Sequence, residues 1–405
     1  MKSRTSYLHL ALGSLLLMAG PAVAQPAAMS DNVVTLGVLS DMSGVYADFS
    51  GMGSTTAVQM AVEDFGGTVN GVPIKVLHAD HLNKADVGTT IAREWYDRDK
   101  VDAIFDASNS AVSLAVAGLT KEKDRILIIG GSSTTRLTTD QCSPNTIQYI
   151  YDANALSNVT AKALVNSGKK NWFFLTVDFA FGHGLEKTTS DVVKAAGGTV
   201  VGAVRHPLNT ADFSSYILQA QNSKADIIAL ANGGSDTVNA IKTASEFGVS
   251  GKQSVASLLT FITDVHSMGL KQAHGIVLTD AFYWDLNDET RAWSKRFFER
   301  VKKMPTMVQA GMYSATMHYL NAVKASKTDK ASTVMAAMKA TPVNDFFAKN
   351  GTIRPDGLHV RDMYLMQVKD PSESKYDWDY YRVLAKVPAD KAFSPPVPGA
   401  CSFLK

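Results

Sequence analysis

Short apolar runs alternate with amphipathic segments along the first part of the chain. Four short, mainly apolar runs predict buried strands: 34–39, 74–77, 103–105 and 126–129. The segments between them have helical periodicity: 53–65, 86–97 and 112–121. Strands without polar alternation, separated by helices, are typical of a parallel sheet that is covered on both faces. This pattern predicts an α/β fold.

The same alternation begins again after about residue 150. Its predicted strands are 172–177, 199–204 and 226–230, and its predicted helices are 155–166, 185–195 and 237–247. Beyond residue 280 the pattern changes to three long helices: 289–301, 307–325 and 331–339. Short strands at 352–353, 363–368 and 380–384 then indicate a late antiparallel addition. We therefore predict two successive doubly wound α/β units.

The first 24 residues have the three parts of a secretory signal peptide. Lys2 and Arg4 supply the positive charge, residues 8–18 form the apolar run, and small residues at Ala22 and Ala24 form a cleavage site. The apolar run is too short to cross a bilayer as a helix. We expect cleavage after Ala24 and release into the periplasm.

Charge and length exclude some classes of partner. Lys2 and Arg4 are two of the 40 basic residues, so the chain after cleavage carries as many basic side chains as its 38 acidic ones. A balanced charge lacks the basic surface of a nucleic-acid binder. The 405 residues, less the signal peptide, suit two domains.

The chain has two cysteines, Cys142 and Cys401. In an oxidising compartment, a single pair of thiols more often forms a disulfide than stays reduced. We therefore expect Cys142 to be bridged to Cys401, with two free thiols as the alternative.

The sequence lacks the motifs that an enzyme of this fold class needs. Gly51 and Gly53 begin a dinucleotide-like motif, but Thr56 stands where the third glycine belongs. There is no phosphate-binding Gly-Lys-Ser/Thr loop and no Gly-x-Ser-x-Gly nucleophile elbow. His78 and His81 are of a residue type that binds metal ions, but their side chains diverge at a strand end. This favours a solvated loop over a metal site. We expect no catalysis, no cofactor and no metal.

Polar loops follow three strands of the first unit. They contain Asp41 to Tyr46 after the first strand, Ser108 to Ser110 after the third, and Ser132 to Thr135 after the fourth. In open parallel sheets, ligands bind beyond the carboxyl ends of the strands. Hydroxyl groups and the N–H groups of helix N-termini can hold a carboxylate without a cationic side chain. The alternative is ordinary helix capping, by Ser110 for example.

The chain resembles the periplasmic binding proteins of the branched-chain amino acid (leucine/isoleucine/valine) type, which have the type I solute-binding fold. The resemblance covers nearly the whole chain after cleavage, and the matching stretches occur in the family's order: 39–44, 129–133, 176–184 and 206–214. It implies two lobes joined by three crossovers, near 149–152, 279–281 and 341–344. The implied divisions are 33–150 plus 281–341 for lobe I, 151–280 plus 342–388 for lobe II, and a tail, 389–405, that is tied to Cys142.

The resemblance also implies a ligand site in the cleft between the lobes. By position, Asn109, Ser132, Ser133 and Thr134 resemble the residues that hold the ligand carboxylate, and Phe49 and Phe181 resemble aromatic residues that line the side-chain pocket. The remaining site residues expected from the polar loops and the first crossover are Ser43, Ser108, Tyr151 and Asp152.

One departure from the family bears on the ligand. The amino-acid binders carry an acidic residue, after a strand of the second lobe, that pairs with the ligand ammonium, whereas the corresponding stretch here, 257–261, has no acid. A buried, unpaired ammonium costs several kcal/mol. This favours an aromatic or aliphatic carboxylate over an amino acid, unless Asp236 or Asp152 replaces the acid.

These features predict the solute-binding component of an ATP-driven importer, with membrane permease subunits as its partners. The alternative is a sensor that presents its liganded form to a membrane receptor. A secreted hydrolase would need the nucleophile elbow that the sequence lacks.

Overall fold

The computed structural model describes Met1, residues 29–249 and residues 253–404. The expected signal peptide therefore lies, apart from Met1, outside the described residues. Lobe I begins with alternating strands and helices, in the order β1 (Val34–Ser40), α1 (Gly51–Phe65), β2 (Thr68–Val69), β3 (Val72–Asp80), α2 (Ala85–Asp97), β4 (Ala103–Asp106), α3 (Ser110–Glu122), β5 (Ile126–Ile129) and β6 (Thr146–Gln148).

The sheet of lobe I has the order β2-β3-β1-β4-β5-β6. β1 lies between β3 and β4 and is parallel to both, with Leu36 opposite Ala103. All seven residues of β1 are buried because helices cover both faces of the sheet. The prediction of a parallel sheet from short, mainly apolar runs is thus confirmed, with a short antiparallel β2–β3 hairpin at one edge.

Lobe II repeats the plan with a smaller sheet. Its elements are α4 (Ala153–Asn166), β7 (Asn171–Val177), α5 (Ala180–Ala195), β8 (Thr199–His206), α6 (Ser214–Asn222), β9 (Ile227–Ala231), α7 (Ser235–Glu246), β10 (Ser254–Ser257), α8 (Ile262–Met268) and α9 (Leu270–Ala273). The strands are parallel, in the order β10-β9-β7-β8. The second α/β unit predicted from the sequence is confirmed.

The last third of the chain is divided between the two lobes. It comprises β11 (Val277–Asp280), α10 (Asp288–Val301), α11 (Met307–Ser326), α12 (Ala331–Ala340), β12 (Thr352–Ile353), β13 (His359–Val360), β14 (Met363–Val368), β15 (Tyr381–Val387) and α13 (Ala389–Ala392). Helices α10 and α11 pack on α1 of lobe I, whereas β11, β14 and β15 form an antiparallel sheet beside α4 of lobe II. Among the described helices, none is long and apolar enough to cross a membrane.

The chain crosses between the lobes three times. The first crossing is the segment 149–152 between β6 and α4, and the second follows β11 at Asp280. The β12–β13 hairpin stays with lobe I, because Leu358 bridges to Gln148 and Phe346 stacks on Trp293 at 4.7 Å. We therefore place the third crossing near Arg361, later than the boundary at residue 341 that the sequence indicated.

A buried arginine joins the first and third crossings. Arg361 donates hydrogen bonds to the carbonyl oxygens of Tyr149 and Ile150, and its guanidinium lies 4.4 Å from the centre of the Phe347 ring. Burial lowers the pKa of Arg361 to about 10, so the group stays charged at neutral pH. These contacts fix the two crossings against each other.

The C-terminal tail returns from lobe II to lobe I. Asn158 of α4 donates to the carbonyl of Ala392 at 3.0 Å, where the tail leaves lobe II. Cys401 then forms a disulfide with Cys142, their Cα atoms 5.6 Å apart. The predicted disulfide is confirmed.

Candidate ligand-binding cleft

One buried carboxylate shapes the loop that follows β1. Asp41 accepts hydrogen bonds from the backbone N–H groups of Gly44 at 2.7 Å and Tyr46 at 2.9 Å. The side-chain amide of Asn83 donates to the same carboxylate at 2.5 Å. The loop is thereby held in one conformation, and both Tyr46 and Phe49 within it are buried.

The turn after β4 is strained and carries the polar part of the cleft. Asp106 and Ala107 have φ angles of +81° and +48°, which L-residues rarely adopt. Asp106 is buried and accepts hydrogen bonds from Ser40 Oγ at 2.8 Å and from the Gly131 N–H at 3.2 Å. Burial raises the pKa of its carboxyl to about 6. These bonds hold the turn that directs the following serines into the cleft.

Helix α3 begins directly after this turn and is capped by Asn109. The Asn109 side-chain oxygen accepts from the N–H groups of Ala111 at 2.9 Å and Val112 at 3.2 Å, which is ordinary N-capping. Its amide group donates to Asn83 at 3.3 Å. The cap is therefore Asn109 rather than Ser110, and the Ser110 hydroxyl is free to face the cleft.

A small cavity of about 10 Å³ lies between the two lobes. Five of its lining residues come from lobe I and two from lobe II: Tyr46, Phe49, Ser108, Ser110 and Gly131, with Phe181 and Leu259. None of these seven carries a carboxyl, amino, guanidinium or imidazole group. The cavity combines hydroxyl groups with aromatic and aliphatic surface.

Aromatic and backbone contacts join the lobes around this cavity. The Phe49 ring stacks on Phe261 of lobe II with centroids 4.2 Å apart, and Tyr46 meets Phe181 edge to face at 6.4 Å. The Ser235 N–H of lobe II donates to the carbonyl of Val45 at 3.2 Å. The two lobes are thus closed over the cavity.

Two buried hydroxyl groups at the cleft have no hydrogen-bond partner among the described residues: those of Tyr46 and Ser133. Buried polar groups are normally paired, so each of these is a candidate to bind a ligand. Burial raises the pKa of Tyr46 well above its usual value, and the nearby carboxyl groups of Asp236 and Asp41 add to that shift. The Tyr46 hydroxyl therefore remains a hydrogen-bond donor at physiological pH.

The acids nearest the cleft in lobe II and at the first crossing hold the backbone. Asp236 accepts from the N–H groups of Asn209 at 3.1 Å and Thr210 at 2.9 Å, and Asp264 accepts from the Phe261 N–H at 2.9 Å. Asp152 caps α4 by accepting from the Ala155 N–H at 2.7 Å. Neither Asp236 nor Asp152, the two expected substitutes for the family's acid, lines the cavity.

A family model described as periplasmic binding protein matches residues 33–375. The chain belongs to the periplasmic binding protein family. A periplasmic binding protein from Burkholderia mallei is 50% identical over 92% of this chain and 100% of its own, with a TM-score of 0.90. A branched chain amino acid ABC transporter periplasmic ligand-binding protein from Burkholderia xenovorans is 43% identical over 89% and 97%, with a TM-score of 0.81.

A more distant solved structure shows the same fold with a bound ligand. It is an ABC transporter solute-binding protein from R. palustris in complex with benzoate, 20% identical over 90% of this chain and 100% of its own, with a TM-score of 0.80. Together with the family match, these neighbours identify a non-enzymatic ligand-binding protein of the ABC transporter type with the type I fold. The family implies a periplasmic location.

The binding protein brings three of the expected site residues to the cavity wall: Phe49, Ser108 and Phe181. Four others are buried behind it. Tyr151 donates to the carbonyl of Gly131 at 2.9 Å, and the Ser132 hydroxyl is bonded to Ser110 and Ser113. Ser133 is the buried serine whose hydroxyl has no partner, and Thr134 caps a short 3-10 helix that begins at the next residue.

The three remaining residues serve other contacts. Asn109 and Asp152 are helix caps. Ser43 is exposed and donates its hydroxyl to Asp80 at 2.6 Å. None of the three lines the cavity.

Sequence reasoning did not single out four residues that line the cavity: Tyr46, Ser110, Gly131 and Leu259. Tyr46 stands in the first polar loop, and its aromatic ring was the available signal. Ser110 belonged to the polar loop after the third strand, but helix capping was the alternative interpretation of its role. Leu259 lies in the stretch that was noted for its missing acid, and nothing in its own residue type marks it.

Proposed function

We propose that this protein is the solute-binding component of an importer, that it is released into the periplasm after cleavage at Ala24, and that it delivers a small carboxylate to membrane permease subunits. The proposed ligand is an aromatic or aliphatic acid without an α-amino group, in preference to an amino acid. The observation that carries this is the cavity between the lobes, which has hydroxyl donors on one side, rings on the other, and no charged group in its wall.

The polar side of the cavity suits a carboxylate. Ser108 and Ser110 line it, and the unpartnered hydroxyl of Ser133 lies in the next loop. Hydrogen bonds to a charged acceptor are about twice as strong as those between neutral groups. Helix α3 begins at Ser110, so the positive end of its dipole adds to the attraction for an anion.

The apolar side suits a ring or a branched alkyl group. Phe49, Phe181 and Leu259 are all buried, and they offer flat or aliphatic surface to the ligand. The solved R. palustris neighbour that holds benzoate shares this fold, which makes benzoate a suitable first probe. An amino acid would bring an ammonium group to a wall that has no carboxylate, at a cost of several kcal/mol.

Ligand-dependent closure would couple binding to delivery. The contacts between Phe49 and Phe261, and between Ser235 and Val45, exist only while the lobes are together. A ligand in the cavity touches both lobes and therefore favours the closed form. The permease subunits would then recognise the closed surface.

A ligand series tests the proposal. Thermal shift and calorimetry would compare benzoate, 4-hydroxybenzoate, leucine and valine on the same protein preparation. A ligand at about 100 times its dissociation constant stabilises the folded state by about 2.7 kcal/mol. We expect the aromatic acids to bind at least about tenfold more tightly than leucine, which corresponds to about 1.4 kcal/mol. Tighter binding of leucine would contradict the proposed ligand class and leave the family assignment intact.

Transport tests the importer role separately. A strain lacking this gene should lose uptake of labelled ligand and regain it with the wild-type gene. Uptake that is unchanged in the deletion strain, with a changed transcriptional response to the ligand, would indicate the sensor instead.

A further inference from the structure

A buried histidine lies behind the polar wall of the cavity. His81 follows β3, is fully buried, and lies beside Ser108. Its Nδ1 atom accepts a hydrogen bond from the backbone N–H of Asn83 at 3.0 Å. A backbone N–H can only donate, so Nδ1 carries no proton in this arrangement. The proton of the neutral imidazole is therefore on Nε2.

The imidazole stays neutral over the physiological range. Burial lowers the pKa of His81 to about 4, although the carboxyl groups of Asp41 and Asp80 act in the opposite direction. The Nε2–H group lies 3.3 Å from Ser108 Oγ, which therefore accepts this hydrogen bond. The tautomer set by Asn83 thus decides the direction of the bond to Ser108.

Ser108 Oγ accepts a second hydrogen bond from the protein. The backbone N–H of Asp41 donates to it at 3.2 Å. With both acceptor positions used, Ser108 can contribute only its own O–H hydrogen to a further partner. The nearest protein alternative is Ser40 Oγ at 3.4 Å, at the outer limit of hydrogen-bond range. A ligand oxygen in the cavity would be the closer acceptor.

Ser110, the other serine of the cavity wall, also accepts a hydrogen bond from the protein at its hydroxyl oxygen. Ser113 donates to Ser132 at 2.9 Å, and Ser132 donates to Ser110 at 3.2 Å. Ser110 accepts only this one bond and keeps a second acceptor position, so of the two serines that line the cavity only Ser108 is restricted to donating.

We propose that His81 is a positioning residue that makes Ser108 a one-way hydrogen-bond donor into the cleft, so that the site selects ligands presenting only acceptor oxygens. This rests on the proposed function, in which a carboxylate occupies the cleft. A carboxylate accepts at every lone pair, whereas an amide of the same shape presents an NH₂ group, for which the Ser108 oxygen has no acceptor position left.

Calorimetry with benzoate and benzamide tests the proposal. We compare the wild-type protein with His81→Phe, which removes both ring nitrogens, and His81→Gln, which keeps an N–H donor at similar reach. His81→Phe should weaken benzoate binding about fivefold, the size of one neutral hydrogen bond, with little change for benzamide. His81→Gln should keep the preference for benzoate over benzamide within about twofold of the wild-type value. A purely structural role would weaken both ligands equally in His81→Phe, and that result would overturn the proposal.

Two further measurements separate the possible failures. In protein that already carries Ser108→Ala, adding His81→Phe should not weaken benzoate binding further. If His81→Phe weakens it as much as in the wild-type protein, His81 does not act through Ser108. The imidazole ¹⁵N shifts of His81 should show the neutral Nε2–H tautomer between about pH 5.5 and 8, consistent with its lowered pKa. An Nδ1–H tautomer would overturn the inference alone. If the wild-type protein binds leucine but not benzoate, both the proposed ligand class and this inference are overturned.

Discussion

The two walls of the cleft differ in chemistry, although the lobes that form them share one architecture. The lobe I wall combines the rings of Tyr46 and Phe49 with Ser108 and Ser110, and a hydrogen-bond network links Ser108 to Asp41, Asp106 and His81. The lobe II wall contains Phe181 and Leu259, with Phe261 beside them, and no hydrogen-bonding side chain. The same α/β plan therefore provides every hydroxyl group of the cavity wall from one lobe and only apolar surface from the other.

This difference arises in the loops after the strands. In lobe I the loops after β4 and β5 carry serines whose hydroxyl groups face the cleft or lie just behind it. In lobe II the acids Asp236 and Asp264 accept backbone N–H bonds, so Asp236 orders the loop after β8 and Asp264 orders the start of its own helix. Lobe I would determine which charge is bound, and lobe II would determine how much apolar surface closes over it.

The largest effect should come from placing a charge in the apolar wall. Leu259→Glu puts a carboxylate opposite the proposed ligand carboxylate, and like charges facing each other cost several kcal/mol. We expect benzoate affinity to fall by at least about a hundredfold, measured by calorimetry. Leu259→Gln has the same shape without the charge and should lose far less. Equal losses in the two variants would show that the wall tolerates no polar group and does not discriminate charge.

Removing a single buried hydroxyl behind the polar wall should have the next largest effect. Ser133→Ala removes a buried donor that has no protein partner, so about 1.5–3 kcal/mol of a charge-assisted bond is lost, or ten- to a hundredfold in benzoate affinity. Phe181→Ala on the opposite wall should cost a similar amount through lost apolar burial. The two differ in specificity: Ser133→Ala should reduce the preference for benzoate over benzamide, and Phe181→Ala should leave it unchanged. The division of roles fails if both variants alter the preference alike.

Closure itself can be opposed at the backbone contact between Gly234 of lobe II and Val45 of lobe I. Gly234 has a φ of +62°, and a Cβ atom there would lie 2.0 Å from the carbonyl oxygen of Val45 in lobe I. Gly234→Ala should therefore oppose closure and weaken binding about tenfold, and small-angle scattering should show less compaction with benzoate. Gly233→Ala is the matched control, because its Cβ would meet Leu259 at an ordinary 3.4 Å. Normal compaction of Gly234→Ala would mean that the lobes close by another contact.

The sequence predicted the fold better than the site, for a physical reason. Strands buried on both faces must be mainly apolar, so β1 and β4 were visible as short apolar runs. Which hydroxyl faces the cavity depends instead on tertiary details, such as the positive φ angles of Asp106 and Ala107 and the capping of α3 by Asn109. These details exchanged the expected roles of Asn109 and Ser110.

The third crossing shows the same limit at the level of the chain path. Residues 341–344 look like a connection between helix and strand, and nothing in their residue types shows that the following hairpin remains with lobe I. That position is set by the Leu358 bridge to Gln148 and by Phe346 against Trp293, contacts between residues far apart in sequence. His81 was likewise interpreted as part of a solvated loop, because its burial depends on how the loop after β3 folds over Ser108.

The smallest effect on binding should come from cutting the link between the tail and lobe I. The Cys142–Cys401 disulfide closes a loop of 259 residues, and loss of such a native bridge typically costs about 2–5 kcal/mol of stability. Neither cysteine lines the cavity, so a Cys142→Ser, Cys401→Ser double variant should bind benzoate within about threefold of wild type. Urea unfolding should show a lower midpoint, and wild-type protein treated with a reductant should match it. The tail runs from α4 of lobe II to lobe I, so it could also restrain the lobes. A larger loss of benzoate affinity at unchanged stability would show that it does, and that the two walls are not the only determinants of closure.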